Sequence, residues 1–220
     1  MHHLFLGLPV RQLALAPYVP AVASALDVKA RDLGLQLAPG AYAHLLPNVA
    51  GYIGADHVAM LLATRIEEKR GVTLAIDIGT NTEICLANEG VLTSASCASG
   101  PAFEGAHIKH GMRAASGAIE RLRLVGGSIE YQTIGDGPPA GLCGSGIVDA
   151  VAQLFLAGVL DRHGRMQDNP RVREVDGVRE FVLVDEPELL SGSTGEGRRS
   201  AIVFTQQDVR QQQLAKGAMR

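Results

Sequence analysis

The feature that most constrains this chain is an acid placed at the end of an apolar run and followed at once by a tight turn. In Thr73-Leu-Ala-Ile-Asp-Ile-Gly-Thr-Asn-Thr82 the segment from Thr73 to Ile76 has the length and apolarity of a strand buried on both faces. Gly79 permits a sharp reversal, and Glu83-Ile-Cys-Leu-Ala87 reads as the returning strand. The hairpin tip then carries the Asp77 carboxylate, the hydroxyls of Thr80 and Thr82, the Asn81 amide and freely exposed backbone N–H groups. Such a tip suits a metal-bound phosphate, with amides on the phosphoryl oxygens and Asp77 on the metal or its water. A plain structural turn is the competing explanation, because D-x-G-T also caps turns through side-chain hydrogen bonds. An acid ending a buried strand is costly without a purpose, which favours the phosphate.

Bulk properties close off other classes. The 220 residues are 46% hydrophobic and 20% charged with a formal charge of −3, as for an ordinary globular protein of one or two domains. Slight acidity argues against a nucleic-acid surface, and 4% aromatics without Trp against base stacking. No stretch reaches the roughly 20 apolar residues that span a bilayer, so no membrane partner is expected. Cys85, Cys97 and Cys143 form neither a disulfide framework nor a C-x-x-C clamp. They read as small core residues of a protein in the reducing cytoplasm.

Along the chain, the segment from Leu45 to Ala63 reads as a strand end or loop passing into a helix that ends near Glu67 to Gly71. After the hairpin, a helix start is expected near Ala102. Ala118 to Leu124 and Ser128 to Ile134 read as strands joined at Gly126-Gly127. A helix from about Ile147 to Leu160 is expected from the spacing of Ile147, Val148, Val151, Leu154 and Phe155. Residues 161–200 carry 16 charged residues and read as a solvated excursion around the strand Glu180-Phe-Val-Leu-Val184. Ala201 to Phe204 is a further strand, and Thr205-Gln-Gln-Asp208 a capping box that opens a last helix.

Two more stretches invite a chemical reading. In Gly141-Leu-Cys-Gly-Ser-Gly-Ile-Val-Asp149 the glycines Gly141, Gly144 and Gly146, with Ser145, precede a helix whose N-terminus favours anions. Tight helix packing explains the same glycines nearly as well, and the pattern is neither a P-loop nor G-x-G-x-x-G. The other stretch is Ser99-Gly-Pro-Ala-Phe-Glu-Gly-Ala-His-Ile-Lys-His110. Glu104, His107 and His110 recur at intervals of three, so one helical face with a metal is conceivable, but no second E-x-x-H exists. Glu104 as a water-orienting or metal-shell carboxylate is the better reading.

Taken in order, Asp77-Ile-Gly-Thr-Asn81, Ser99-Gly-Pro-Ala-Phe-Glu-Gly-Ala106 with Gly111-Met-Arg113, Gly141 to Ala150 and Gln213-Leu-Ala-Lys-Gly-Ala218 resemble motifs of the reductive activators of corrinoid proteins. The segments His2 to Leu8 and Pro47 to Asp56 resemble that family too. These activators fall in the superfamily of actin, sugar kinases and heat-shock chaperones. The resemblance implies an α/β fold: a ribonuclease-H-like lobe of the actin-like ATPases, a mixed sheet flanked by helices, read here as truncated at both ends. Residues 1–71 would be the tail of the first lobe with its connecting helix, and residues 72–220 an incomplete second lobe. Full members carry an amino-terminal 2Fe–2S domain and use ATP and Mg²⁺ to return a Co(II) corrinoid protein to Co(I).

On this resemblance Asp77 binds the metal, Gly79, Thr80, Asn81 and Thr82 hold the phosphates, and Gly100, Gly141, Gly144, Ser145 and Gly146 approach the nucleotide. Glu104 supports the metal or the water. The chain itself has no cysteine cluster for iron and sulfur, so any such group is expected in a missing amino-terminal domain. By itself the fragment is expected to be inactive. Two rivals remain open: a non-catalytic actin-like module that docks a partner or forms a homodimer, and a sugar or acetate kinase relative.

Overall fold

A computed structural model describes residues 2–185 and 201–220. The chain divides into two compact units, Met1–Ile78 with Thr82–Cys97, and Gly79–Asn81 with Ala98–Arg220.

In the first unit a short helix α1 (His2–Phe5) precedes an antiparallel pair, β1 (Leu26–Lys29) and β2 (Tyr42–Leu45). Helix α2 (Ala55–Thr64) closes on Arg65 in the left-handed region, and a 3₁₀ turn at Ile66–Glu68 follows. Then comes a three-stranded sheet in the order β3 (Thr73–Ile78), β4 (Asn81–Asn88), β5 (Val91–Ala98). Its inward residues Ala75, Cys85 and Ala87 pack on Leu61 and Ile66. His57 of α2 is fully buried and its Nε2 lies 2.9 Å from Ser94 Oγ on β5.

The sequence reading of β3 as buried on both faces is wrong. Leu74, Ile76 and Ile78 are 55%, 48% and 45% exposed. Side chains alternate across a strand, and α2 with its following turn covers only the face that carries Ala75. An apolar run does not reveal that asymmetry.

The second unit holds the main core. Strand β6 (Ala118–Val125) pairs antiparallel with β7 (Ser128–Thr133) and, at Ala118 and Ile119, parallel with β8 (Gly141–Leu142), which makes a small mixed sheet. Gly126 and Gly127, at φ 58° and 87°, form the two-residue loop that the sequence indicates. Helix α3 (Gly144–Leu156) lies on β6 with Ile147, Ala150 and Leu154 fully buried. It starts three residues before the expected Ile147 and stops four before Leu160, where Gly158 takes φ 72°. Beyond the paired stretch, the open side of β6 is closed by α3 side chains. Leu122 N–H donates to Asp149 Oδ2 and Leu124 N–H to Gln153 Oε1, each at 3.1 Å.

A second sheet has the order β11 (Ile202–Thr205), β10 (Val178–Val184), β9 (Val172–Val175). Within the stretch read as a solvated excursion, β10 is in fact core. Phe181, Leu183 and Val184 are at most 1% exposed, and they join Ile147, Leu154 and Phe204 in one cluster. Charge density along the chain hid this strand's role, and it hid β9 altogether. The remainder of that excursion, residues 186–200, lies outside the described residues.

Helix α4 (Gln206–Met219) opens on the predicted capping box. Asp208 N–H donates to Thr205 Oγ1 at 3.1 Å, and Thr205 N–H to Asp208 Oδ2 at 2.8 Å. Ala215 and Met219 of α4 pack on Ala102 and Phe103, which lie in a 3₁₀ turn over Pro101–Glu104.

Two glycines of α3 leave no room for a side chain. A Cβ would come 2.1 Å from Phe103 O at Gly144, and 2.1 Å from Ile119 O at Gly146. Gly146→Ala is therefore expected to lower stability by about 1–3 kcal/mol. Gly217→Ala, where a Cβ meets nothing within 4 Å, is expected to raise it by up to about 1 kcal/mol. Urea denaturation midpoints of the two variants check both signs.

Candidate functional site

Gly79, Thr80 and Asn81 group with the second unit, and the residues that hold them are Ser99 to Glu104. Ser99 Oγ donates to Gly79 O at 3.1 Å and Gly100 N–H to Thr80 O at 2.9 Å. Thr80 N–H in turn donates to Glu104 Oε1 at 2.8 Å. The tip was expected to present free N–H groups. Two are in use: Thr80 N–H on Glu104, and Gly79 N–H on Asn81 O at 3.2 Å. Donors left over by a tight turn take the nearest acceptor, and here the acceptor is a carboxylate.

Glu104 is exposed and its pKa lies below the ordinary glutamate range. Hydrogen bonding from Thr80, through its side chain and its amide, is the main cause, and the positive charge of Arg113 adds to it. This carboxylate is ionised at neutral pH.

The backbone that carries Glu104 is fixed. Directly after it, Gly105 takes φ 85°, and a Cβ there would lie 2.6 Å from Met112 N. From the other side, a Cβ on Gly111 would lie 2.0 Å from Gly105 O. Residues 105–111 thus form a loop whose neck is backbone against backbone. Its far end is tied down at Lys109. Lys109 N–H donates to Asp208 Oδ1 at 2.9 Å, and Lys109 Nζ lies 2.7 Å from Glu180 Oε2. Glu180 is 2% exposed and also accepts Arg173 Nε at 2.9 Å.

This geometry corrects the helical metal trio. The 3₁₀ turn ends at Glu104, Gly105 is left-handed and His107 takes φ 63°, so Glu104, His107 and His110 share no helical face. His110 is held below the usual imidazole range, first by burial and then by the charge of Lys109. Among the described residues no group of three or more His, Cys, Asp or Glu side chains could hold a metal ion. All three cysteines are free, with Cys85 and Cys143 buried.

The other expected site residues fall as follows. Asp77, in the first unit, is exposed at the end of β3, opposite Glu83 in the register. Thr82, opposite Ile78, is fully buried, so its hydroxyl is not at the surface of the tip. Gly100 takes φ 81° with open space where a Cβ would stand. At Gly144 and Gly146 the missing side chains are already required by packing, and a Cβ on Gly141 would come 2.6 Å from His110 O. Ser145 is exposed, with its Oγ 3.4 Å from Cys143 Sγ. Lys109 and Glu180 were not singled out from sequence as site residues, and Arg113 entered only as part of a family motif. The Lys109–Glu180 contact spans 71 residues, and no local pattern announces it.

Comparison with known proteins decides the family. A family model described as the C-terminal, ASKHA domain of RACo matches residues 71–220, and another, the RACo middle region, matches residues 1–69. The chain belongs to the RACo family. The RACo-family chain is 38% identical over 225 residues to the corrinoid activation enzyme RamQ of Eubacterium limosum, covering 100% of this chain and 37% of RamQ. It is 30% identical over 142 residues to a Co(II) methylated amine-specific corrinoid protein reductase of Methanosarcina barkeri, covering 54% of this chain and 26% of that one. A solved structure of a reductive activator for corrinoid, iron-sulfur protein matches with a TM-score of 0.82 and 40% identity, over 99% of this chain and 34% of its own. The fold is thus that of the ASKHA domain, α/β with helices against sheets, as the sequence motifs indicated. The described residues form four small sheets. No helix among the described residues is long and apolar enough to cross a membrane.

The buried carboxylate between two cations gives a pH signature. Burial pushes the Glu180 pKa up, but hydrogen bonds from Lys109 and Arg173 and their charges outweigh it, so the folded-state value lies below the ordinary one. Its contribution to stability is therefore complete above the ordinary glutamate value of about 4.3 and lost as pH falls through the lower folded value. Glu180→Gln is expected to cost about 1–3 kcal/mol at pH 7. The gap to the wild type should close toward pH 3, as measured by urea denaturation across that range.

Proposed function

We propose that this chain is the nucleotide-binding portion of an ATP-dependent reductive activator of corrinoid proteins. The observation that carries the reading is the Thr80 amide: a backbone donor at a glycine turn, braced by Ser99 and Gly100, that holds an oxyanion. A phosphoryl oxygen is the same kind of acceptor. Family membership gives the turn its context, and the names of the relatives point to a corrinoid protein as partner. The chain spans 37%, 26% and 34% of those relatives, so activity and partner belong to the whole protein.

In this proposal Gly79, Thr80 and Asn81 bind phosphoryl oxygens and Asp77 binds Mg²⁺ or its water. Glu104 orients the attacking water or completes the metal shell. One exposed carboxylate is enough for Mg²⁺, which keeps most of its waters and takes further ligands from the phosphates. The metal would draw off the charge that develops on those oxygens. Gly100 and Ser145 approach the nucleotide, whereas Gly141, Gly144, Gly146 and buried Thr82 contribute chiefly by packing. In the same reading a 2Fe–2S group belongs to the whole protein and is not assigned to the three cysteines of this chain. A boundary at residues 71/72 between the tail of one lobe and the second lobe, a homodimer and a cytoplasmic location belong to the same reading.

In the full-length protein, Mg·ATP at about 100 times its Kd should stabilise the fold by about 2.7 kcal/mol. Asp77→Asn should slow ATP turnover by on the order of a hundredfold. An unmoved thermal midpoint, or turnover that survives Asp77→Asn, would sink the proposal.

A further inference from the structure

Both tasks given to the turn and to Glu104 fall on the same atoms. Glu104 Oε1 is 2.8 Å from the Thr80 amide nitrogen, and a Cβ on Gly79 would sit 3.3 Å from that same oxygen. A terminal phosphoryl oxygen that seeks the Thr80 N–H meets a carboxylate already bound there. Two anions at hydrogen-bond distance from one donor repel strongly, so one of them must leave.

We propose that Glu104 is a built-in stand-in for a phosphoryl oxygen, occupying the Thr80 amide until a nucleoside triphosphate displaces it, and so setting nucleotide affinity as a competitor. The inference rests on the nucleotide reading of this turn and adds how the site is regulated. Glu104 is an exposed carboxylate on that amide and competes as an anion.

The surrounding packing dictates how the exchange proceeds. The Glu104 backbone is bound on one side by Phe103, which lies under α4 and against Gly144, and on the other by the Gly105–Gly111 neck. Lys109 holds the loop end through Asp208 and Glu180. Main-chain movement is thus blocked, and the carboxylate leaves by rotation about its own side-chain bonds. It stays within one side-chain length of the turn, from where it would support a metal or a water bound beside the phosphates. Arrival of the phosphate and release of the carboxylate become one event.

The test uses the full-length protein with Mg²⁺ and the β,γ-imido analogue of ATP, measured by calorimetry for wild type, Glu104→Gln and Glu104→Ala. Glutamine keeps a carbonyl for the Thr80 N–H but loses the charge, and alanine loses both. The expected result is a graded gain, with alanine binding roughly tenfold tighter than wild type and glutamine between them. Hydrogen exchange at the Thr80 amide supplies a second readout. It should be slow in the free wild type, fast in free Glu104→Ala, and slow again in that variant once the analogue is added. Unchanged or weaker binding by Glu104→Ala, equal gains for the two variants, or a Thr80 amide still protected in free Glu104→Ala would each overturn the stand-in while leaving the nucleotide reading intact. If none of the three proteins binds the analogue, the nucleotide reading falls and this inference with it. Binding by Glu104→Ala but not by wild type would support it strongly.

Discussion

Two backbone crossings with no room for a side chain determine where Glu104 can point. At one, Gly144 at the start of α3 meets the Phe103 carbonyl; at the other, Gly105 and Gly111 close the neck of a loop. Glycine is used at these positions for approach distance, and at Gly105 also for a left-handed φ. Everything proposed for the turn at Thr80 depends on these contacts. A carboxylate on a wandering loop would not find a single amide 24 residues away in sequence.

Electrostatics completes what packing begins. Lys109 serves twice, its amide on the carboxylate that caps α4 and its ammonium on buried Glu180. Asp208 is likewise shared between the cap and the loop. The start of the last helix, the strand β10 and the loop beside the candidate site therefore form one network. A buried carboxylate is tolerated because two cations reach it from solvent-facing positions, so only one member of each ion pair is fully dehydrated.

What could be read from the sequence was what is written locally. The Gly126-Gly127 reversal, the Thr205–Asp208 box and the turn after Asp77 are each encoded within a few residues, and each is found in place. Ordered motifs also led to the fold, because spacing along a family is preserved even where side-chain contacts cannot be inferred. The failures share a cause. Whether Ile76 is covered depends on where α2 lies; whether β10 is core depends on strands and helices distant in sequence; whether the Thr80 amide is free depends on Glu104. Three-residue spacing of Glu104, His107 and His110 implied a helix that Gly105 stops.

The side chains of Asp149 and Gln153 also guard a strand border. An unpaired strand border invites a strand from a neighbouring molecule, which is how sheets fuse and aggregates begin. On β6 the amides of Leu122 and Leu124 are already taken by α3. A newcomer along that border would have to displace a carboxylate and an amide from a well-packed helix before forming its first rung. The helix thus acts as a hem that holds the small sheet at its given width.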